Sequence, residues 1–353
     1  MSLIDDFLRS MQLRKGSDLH VVAGDPPRMR VHGDLITLDN QPLDPEELKG
    51  EIFGLMSEAS LNQFNVHDSA DFAHAIPDVA RFRVNVFRHL NGIGAVFRGI
   101  PSKALTLDEL KMPKALHELA TATRGLILVT GKTGSGKSTT LAAVIDAINT
   151  RLKGHILTIE DPIEFVHQRK SCLMSQREVG IHSPSFADAL HSALREDPDA
   201  ILVGELRDLE TMSIAMTAAE MGVLVMGTLH TNGAAATIDR VVNIFPSDKQ
   251  DHVRNMLSTS LRGVVSQQLV KKKDGTGRGV ALEILINTSA AANLIRQGKL
   301  EQLENVMQSS GLVGMCTMDS SLKKLLDSGV ISGEEAYLQA FDKAKFEQFK
   351  DIA

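Results

Sequence analysis

The sequence predicts an α/β protein in which a small α+β domain precedes a larger domain built on a parallel sheet. Between residues 125 and 230, short apolar runs alternate with stretches of helical spacing. This order gives a parallel sheet with helices on both faces. Before residue 100, apolar and polar residues alternate around turn signals, as they do in antiparallel strands.

The predicted N-terminal domain covers residues 1–100. "DLHVVAG" and "RMRVHGDLITL" have strand-like alternation, and "PEELKGEIFGLM" has helical spacing with Pro45 near its start. In "RFRVNVFR" the apolar side chains fall on one face of a strand. The Asn91-Gly92 pair that follows is a hairpin signal, and the return strand carries Arg98.

Residues 101–124 are predicted to be a linker that includes a short helix, and residues 125–353 to be the second domain. The strands predicted in that domain are "GLILVTG", "HILTIED", "AILVGE" and "VLVMGTLH". A helical stretch lies between each pair of neighbours. Beyond about residue 248 the spacing of Met and Leu predicts helices only.

Composition limits the classes of partner. With 38 basic and 44 acidic residues the net charge is −6, so we expect no nucleic-acid partner. Lys271, Lys272 and Lys273 form the one dense basic run, which we interpret as a solvated segment. Two separated cysteines indicate a reducing compartment. Since no apolar run approaches the roughly 18 residues that span a bilayer, we expect a cytoplasmic protein.

The stretch "GKTGSGKSTT", residues 131–140, fits the phosphate-binding pattern G-x-x-x-x-G-K-[ST] between a strand and a helix. Its glycines let backbone N–H groups face phosphate oxygens. Lys137 is predicted to contact the β- and γ-phosphates, and the Ser138 hydroxyl to bind Mg²⁺. The predicted ATP-binding residues of this loop are Gly131, Thr133, Gly134, Ser135, Gly136, Lys137, Ser138 and Thr139.

The acid at the end of the third strand, Glu205 in "DAILVGELRD", has three interpretations. It is a metal ligand displaced by one position, a residue that activates water, or a solvated strand end. Because its stem is longer than that of Asp, its carboxylate could reach a water beside the γ-phosphate. This favours a base or water-orienting role. Gly204 is expected to leave the end of the strand without a side chain, so that the Glu205 carboxylate can approach phosphate.

Other polar residues follow the neighbouring strands, at the edge where open α/β sheets bind ligands. Glu160 and Glu164 follow the second strand in "TIEDPIEF". His230 ends the fourth strand and is either a hydrogen-bonded packing residue or a sensor of the nucleotide. The histidines show neither H-E-x-x-H nor a comparable metal-ligand spacing, so we expect no transition-metal site.

Arginines of the N-terminal hairpin are the last candidates. Arg81, Arg83 and Arg98 could supply positive charge to a phosphoryl-transfer transition state, from the same chain or a neighbouring subunit. The alternative is an ordinary solvated strand face.

Four ordered stretches now carry a family resemblance. "GKTGSGKSTT", "HILTIEDPIEF", "DAILVGELRDLET" and "GTLHTNGAAATIDR" resemble the Walker A, Asp box, Walker B and His box of the type II/IV secretion ATPase superfamily. "GSDLHVVAG" and "RFRVNVFR" match as well, so the resemblance covers nearly the whole chain. It is strongest to the PilT-type type IV pilus retraction ATPases.

This resemblance implies a homohexamer with a PAS-like N-terminal domain, a RecA-like ATPase domain with helices at its C-terminal end, and ATP and Mg²⁺ as cofactors. It implies a catalytic role for Glu205 and places Glu160 and Glu164 in the Asp box. We assign Glu160 to nucleotide binding and Glu164 to catalysis.

The resemblance also places His230 in the His box and Arg81 and Arg83 in the segment that carries arginine fingers, and these three join the predicted catalytic residues. The implied partners are an inner-membrane pilus platform protein and a paralogous retraction ATPase. The protein would therefore be cytoplasmic and peripherally attached to the pilus machine at the inner membrane.

The sequence departs from the family at two places. Lys132 stands where the family usually has Pro, which adds a cation near phosphate. Residues 290–297, "AAANLIRQ", replace the usual AIRNLIRE, so that an Arg becomes Ala292 and a Glu becomes Gln297. Since that helix is tied to retraction rather than hydrolysis, an accessory retraction ATPase of the PilU type stays open.

Three rival functions are less favoured. Pilus-assembly and type II secretion ATPases usually carry an extended N-terminal region and a four-cysteine zinc insertion, whereas this chain has no CxxC pair. A nucleic-acid translocase needs a basic track. A non-catalytic scaffold does not need both an intact phosphate loop and Glu205.

Overall fold

The computed structural model describes residues 2–31, 34–77, 79–100 and 104–352. It divides the chain into two compact units, Met1–Lys103 and Ala104–Ala353. Residues 101–103, the start of the predicted linker, lie outside the described residues. The rest of that segment belongs to the second unit, because Leu107, Leu116 and Leu119 are buried in its core.

The described residues of the first unit form an antiparallel sheet and three helices. Its helices are α1 (Leu3–Leu13), α2 (Pro45–Leu55) and α3 (Glu58–His67). Its strands are β1 (Asp18–Val22), β2 (Arg28–Val31), β3 (Asp34–Thr37), β4 (Ser69–Ile76), β5 (Ala80–His89) and β6 (Gly92–Ile100). The strand order is β3-β2-β1-β6-β5-β4, and neighbouring strands pair antiparallel.

Local sequence accounts for these elements. The Asp44 carboxylate accepts hydrogen bonds from the N–H groups of Glu46 and Glu47, and Pro45 occupies the first position of α2. The alternation predicted for β5 is confirmed, since Phe82, Val84 and Val86 are buried. They pack with the apolar faces of the helices in one core.

The second unit contains seven strands and ten α-helices among its described residues. The strands are β7 (Gly125–Thr130), β8 (His155–Glu160), β9 (Leu173–Glu178), β10 (Ala200–Val203), β11 (Leu224–Leu229), β12 (Leu261–Lys271) and β13 (Arg278–Ile286). The helices are α4 (Lys114–Leu119), α5 (Lys137–Arg151), α6 (Phe186–Ala193), α7 (Leu209–Glu220), α8 (Ala234–Asn243), α9 (Gln250–Ser260), α10 (Ser289–Gln297), α11 (Leu303–Ser309), α12 (Met318–Asp327) and α13 (Gly333–Gln339). Short 3₁₀ segments lie at Ser247–Lys249, Leu300–Gln302, Gly311–Val313 and Lys343–Ile352.

The strand order in this sheet is β13-β12-β7-β11-β10-β8-β9. All neighbours pair in parallel except β12 and β13. The four predicted strands are therefore confirmed as β7, β8, β10 and β11. Because they are parallel, their carboxyl ends meet at one edge of the sheet, which we call the carboxyl edge.

The expectation of helices only beyond about residue 248 is wrong for residues 261–286, which form β12 and β13. These strands are buried on both faces: Val264 packs in the core on one side of the sheet and Val265 in the core on the other. Strands covered on both faces lose the apolar–polar alternation that identifies a half-exposed strand. From Ser289 onward the region is helical, as expected.

None of the helices in the described part of the chain is long and apolar enough to cross a membrane.

Candidate active site

The loop of residues 131–136, called the phosphate loop below, connects β7 to α5 at the carboxyl edge. Gly131, Gly134 and Gly136 have φ angles of 141°, 78° and 88°, values that L side chains rarely adopt. Gly136 precedes α5 without a side-chain cap. The first-turn N–H groups of α5 are therefore open to an anion, which the helix dipole also favours.

Lys137, the first residue of α5, is 9% exposed. Its Nζ donates hydrogen bonds to the Gly131 carbonyl at 2.8 Å and to the Lys132 carbonyl at 3.2 Å. Burial lowers the pKa of Lys137, and the charge of Glu205 opposes that shift. The ammonium is thus held inside the curve of the phosphate loop.

The remaining residues predicted for this loop differ in exposure. Thr133 and Ser138 are exposed, and Thr139 is half-buried. Ser135 is buried, and its Oγ is one of the side-chain atoms in the described residues that lack a hydrogen-bond partner. The Ser138 hydroxyl lies on the first turn of α5, next to the uncapped N–H groups.

Glu205 lies just beyond β10, and its side chain is 18% exposed. Its Oε2 is 2.7 Å from Nη2 of Arg207, and its Oε1 is 3.2 Å from Nε2 of His230. Nδ1 of the same His230 ring lies 3.5 Å from Nζ of Lys137. The structure therefore brings three predicted residues into one chain of contacts: Lys137, His230, Glu205.

The pKa of Glu205 reflects opposing effects. Burial raises it, but the hydrogen bond from Arg207 and the charges of His230 and Arg207 outweigh burial and lower the pKa below its ordinary value. Glu205 is therefore ionised at neutral pH. An ionised carboxylate at this edge can accept a proton or orient a water.

Gly204 allows a close approach between two strands of the sheet. A Cβ at this position would lie 3.2 Å from the Ile159 carbonyl and 3.3 Å from Cα of Glu160. The absent side chain lets β10 approach the end of β8. The close neighbour is protein backbone.

Glu160 ends β8 and belongs to a separate set of hydrogen bonds. It is buried and accepts from Thr158 Oγ1 at 2.7 Å, from Gln176 Nε2 at 3.4 Å and from the backbone N–H of Glu164 at 3.3 Å. Burial raises the pKa of Glu160 despite these donors. The Glu164 side chain itself is exposed.

The predicted arginines lie on β5 and β6 of the first unit. Arg81 pairs across the sheet with Ile100, and Arg83 with Arg98. Arg98 donates from Nε to the carboxylate of Asp18 at 2.7 Å. The Arg83 side chain is exposed, and that of Arg81 is half-buried.

Two residues at this edge were not predicted. Arg207 holds Glu205, and its signal was visible as the basic residue two positions after the acid in "GELRD". Gln267 of β12 contacts the phosphate loop. No local pattern identified Gln267, because its segment was expected to be helical.

Within the residues that the structure describes, no group of three or more His, Cys, Asp or Glu side chains is arranged to hold a metal ion.

Comparison with known proteins identifies close relatives. Residues 1–329 match the family described as "Type II/IV secretion system protein". The chain is 51% identical over 333 residues to the type IV pilus retraction ATPase PilT of Pseudomonas aeruginosa, with 94% of this chain and 96% of the relative covered. It is 42% identical over 336 residues to the type IV pilus ATPase PilU of the same organism, with 95% and 88% covered.

A solved structure gives the same result. The fold is similar to a crystal structure of the pilus retraction motor PilT with bound ADP, with a TM-score of 0.92, 43% identity and 99% of each chain covered. This match confirms the predicted fold class.

Proposed function

This chain belongs to the type II/IV secretion system protein family, as its motifs predicted, and on that premise we propose that it is an ATP-hydrolysing motor that retracts type IV pili. The observation that carries the proposal is the contact chain from Lys137 through His230 to Glu205 beside the phosphate loop. It puts a phosphate-binding ammonium and an ionised carboxylate on the two nitrogens of one imidazole ring.

The roles of these residues follow from their surroundings. Lys137 neutralises phosphate charge, and Glu205 orients the attacking water and accepts its proton. His230 contacts both. A change at the γ-phosphate would therefore alter the hydrogen bonds of His230 and move the loop that follows it.

The loop also suits a Mg²⁺-bound nucleotide. The uncapped N–H groups of α5 and the buried, unpartnered Ser135 Oγ are donors suited to phosphate oxygens. The exposed Ser138 hydroxyl is the metal ligand in this proposal. Bound Mg²⁺ would neutralise the charge that develops on the phosphates.

The Asp-box carboxylates have supporting roles. Glu160 is fixed by Thr158 and Gln176 and is assigned to nucleotide binding. Glu164, whose N–H is tied to Glu160 and whose side chain is exposed, is assigned to catalysis. Both assignments rest on the family resemblance.

We assign Arg81 and Arg83 as arginine fingers that act between subunits of a homohexamer. Mixing Arg83→Ala subunits with Lys137→Ala subunits tests this, because some sites in the mixed ring would combine an intact Lys137 with a neighbour's intact Arg83. ATPase activity above that of either variant alone is expected. Two inactive variants that give an inactive mixture would contradict action in trans.

The partner in this proposal is a pilus platform protein of the inner membrane, which would keep the cytoplasmic motor at the pilus machine. A paralogous retraction ATPase is a second partner, and the net charge of −6 argues against a nucleic-acid partner.

A deletion strain tests the function as a whole. Loss of this chain should give excess surface pili and no twitching, and wild-type protein should restore motility where Glu205→Gln does not. Deletion that leaves cells without surface pili would instead identify a motor of pilus assembly.

One observation favours an accessory retraction ATPase as the second candidate. Helix α10 buries Ala291 and Ile295, whereas Asn293 and Gln297 lie on its exposed face. The Glu that the family usually has at the end of this helix is therefore replaced, by Gln297, on the exposed face of the helix. Deletion that leaves twitching intact unless the primary motor is weakened would favour this candidate.

A further inference from the structure

A buried glutamine of β12 connects the phosphate loop to the sheet. Gln267 is 2% exposed. Its Nε2 donates to the Ser135 carbonyl at 2.7 Å, and its Oε1 accepts from Thr140 Oγ1 at 2.7 Å. Since the Ser135 carbonyl can only accept, the amide has one orientation.

The phosphate loop also fits closely against this residue at both ends. A Cβ on Gly131 would lie 2.3 Å from the backbone carbonyl of Gln267, and a Cβ on Gly136 would lie 2.7 Å from its Nε2. Glycine is thus required at these two positions by Gln267 as well as by the positive φ angles.

We propose that Gln267 is a positioning residue for the nucleotide phosphates. It fixes the Ser135 end of the phosphate loop relative to Thr140 on the first turn of α5, so that the N–H groups of both segments converge before nucleotide binds. The inference deepens the proposed function and rests on its assignment of ATP to this loop.

The physical basis is preorganisation. A loop that must order itself on binding spends part of the binding free energy on that ordering. Without the hydrogen bond to Ser135, nucleotide should bind more weakly. The chemistry of bound nucleotide should change little, because the two side-chain hydrogen bonds of Gln267 go to Ser135 and Thr140 rather than to the residues assigned to catalysis.

The test compares two buried amides of the second unit. Gln267→Glu keeps the shape and the acceptor for Thr140 but removes the donor to Ser135. The control is Asn149→Asp, near the other end of α5, where a 1%-exposed amide donates to the Gln168 carbonyl. Both variants put a carboxylate at a buried amide site, so both should lower thermal stability.

For each purified full-length variant, the Kd of fluorescent ADP, the ATPase KM and kcat, and the Tm would be measured. Gln267→Glu should raise Kd and KM about tenfold, the effect of roughly 1.4 kcal/mol. Its kcat at saturating ATP should stay within about threefold of wild type. Asn149→Asp should lower Tm and leave Kd unchanged.

A folded Gln267→Glu variant that binds ADP within about twofold of wild type would overturn the inference, as would equal weakening by Asn149→Asp. If Gln267→Glu does not fold, Gln267→Met, which removes both hydrogen bonds without adding charge, takes its place with the same expected result. Failure of the proposed function has a different signature, since wild-type protein would then not bind ADP or hydrolyse ATP.

Discussion

Two loops at the carboxyl edge are held by adjacent residues of β12 through different chemistry. Gln267 points to one face of the sheet and holds the phosphate loop with a neutral amide. Ser266 points to the other face, where its Oγ accepts from the N–H of Gly233 at 2.9 Å. Residues 230–233, called the His230 loop, are thereby tied to the same strand.

The residue that directly follows the His230 loop, Ala234, is held by a titratable side chain. Glu283, which pairs with Ser266 across β12 and β13, accepts from the N–H groups of Ala234 at 2.7 Å and Met318 at 3.2 Å. Glu283 is buried, and burial raises its pKa despite these donors. The two loops can therefore be perturbed separately, because pH titrates the Glu283 anchor but not the Gln267 anchor.

The largest effect should come from Glu205→Gln, which removes the carboxylate on the His230 side and leaves the phosphate loop intact. We expect kcat to fall about 10²–10⁴-fold, the usual range for a lost general base. The Kd for fluorescent ADP should stay within about twofold of wild type. Steady-state ATPase assays and ADP titration measure the two quantities.

Glu210→Gln, an exposed substitution on α7, is the matched control and should leave kcat unchanged. A tenfold higher Kd for ADP in Glu205→Gln would contradict this prediction, since nucleotide binding at the phosphate loop would then depend on Glu205 as well.

Glycine substitutions probe how tightly the phosphate loop is held. Gly131→Ala should destabilise the second unit by about 1–3 kcal/mol, since the new Cβ would be forced both into a disfavoured φ region and against Gln267. Gly134→Ala should cost about 1 kcal/mol, because its Cβ would meet open space and only the φ of 78° is unfavourable. Urea unfolding measures both; equal losses would mean that the contact with Gln267 is not tight.

Glu283→Gln probes the titratable anchor. The variant should be less stable by roughly 1 kcal/mol, because one N–H now faces an amide NH₂. Since the pKa of Glu283 is raised above 4.5, its favourable contribution is complete below that value and is lost as pH rises through the higher folded-state pKa. The Tm difference between wild type and variant should therefore shrink as pH rises from 4 to 8.

Glu301→Gln, an exposed substitution in the same unit, is the control and should show no such trend. A Tm difference that grows with pH would contradict a raised pKa for Glu283.

The smallest effect is expected from Arg207→Ala, because this arginine is exposed. Its hydrogen bond helps to keep the pKa of Glu205 low. Without it, Glu205 should take up a proton at higher pH, and the acid limb of the kcat/KM profile should move upward in pH. Lys323→Ala, which removes an exposed ion pair with Asp327, should not move it. If the acid limb of Arg207→Ala stays at the wild-type pH, then Arg207 is not needed to keep the pKa of Glu205 low.

The sequence predicted the phosphate loop and the residues that end the neighbouring strands because parallel strands place such residues at a common edge. Lys137, His230 and Glu205 do lie in contact. The sequence shows Arg207 two residues after Glu205. It does not show that the two side chains form an ion pair, since a loop residue can point in many directions. β12 and β13 were missed because both of their faces are buried.

Alternation, glycine placement and motif order were thus sufficient for the family, the parallel sheet and the nucleotide loop, since each depends on residues close together in the chain. Only the tertiary structure showed that Gln267 holds the phosphate loop across a sequence separation of 132 residues, and that Glu283 holds Ala234 at the end of the His230 loop. Only the folded structure showed that a side chain at Gly204 would meet the backbone of β8. Local spacing determines which groups are available, but packing determines which of them meet.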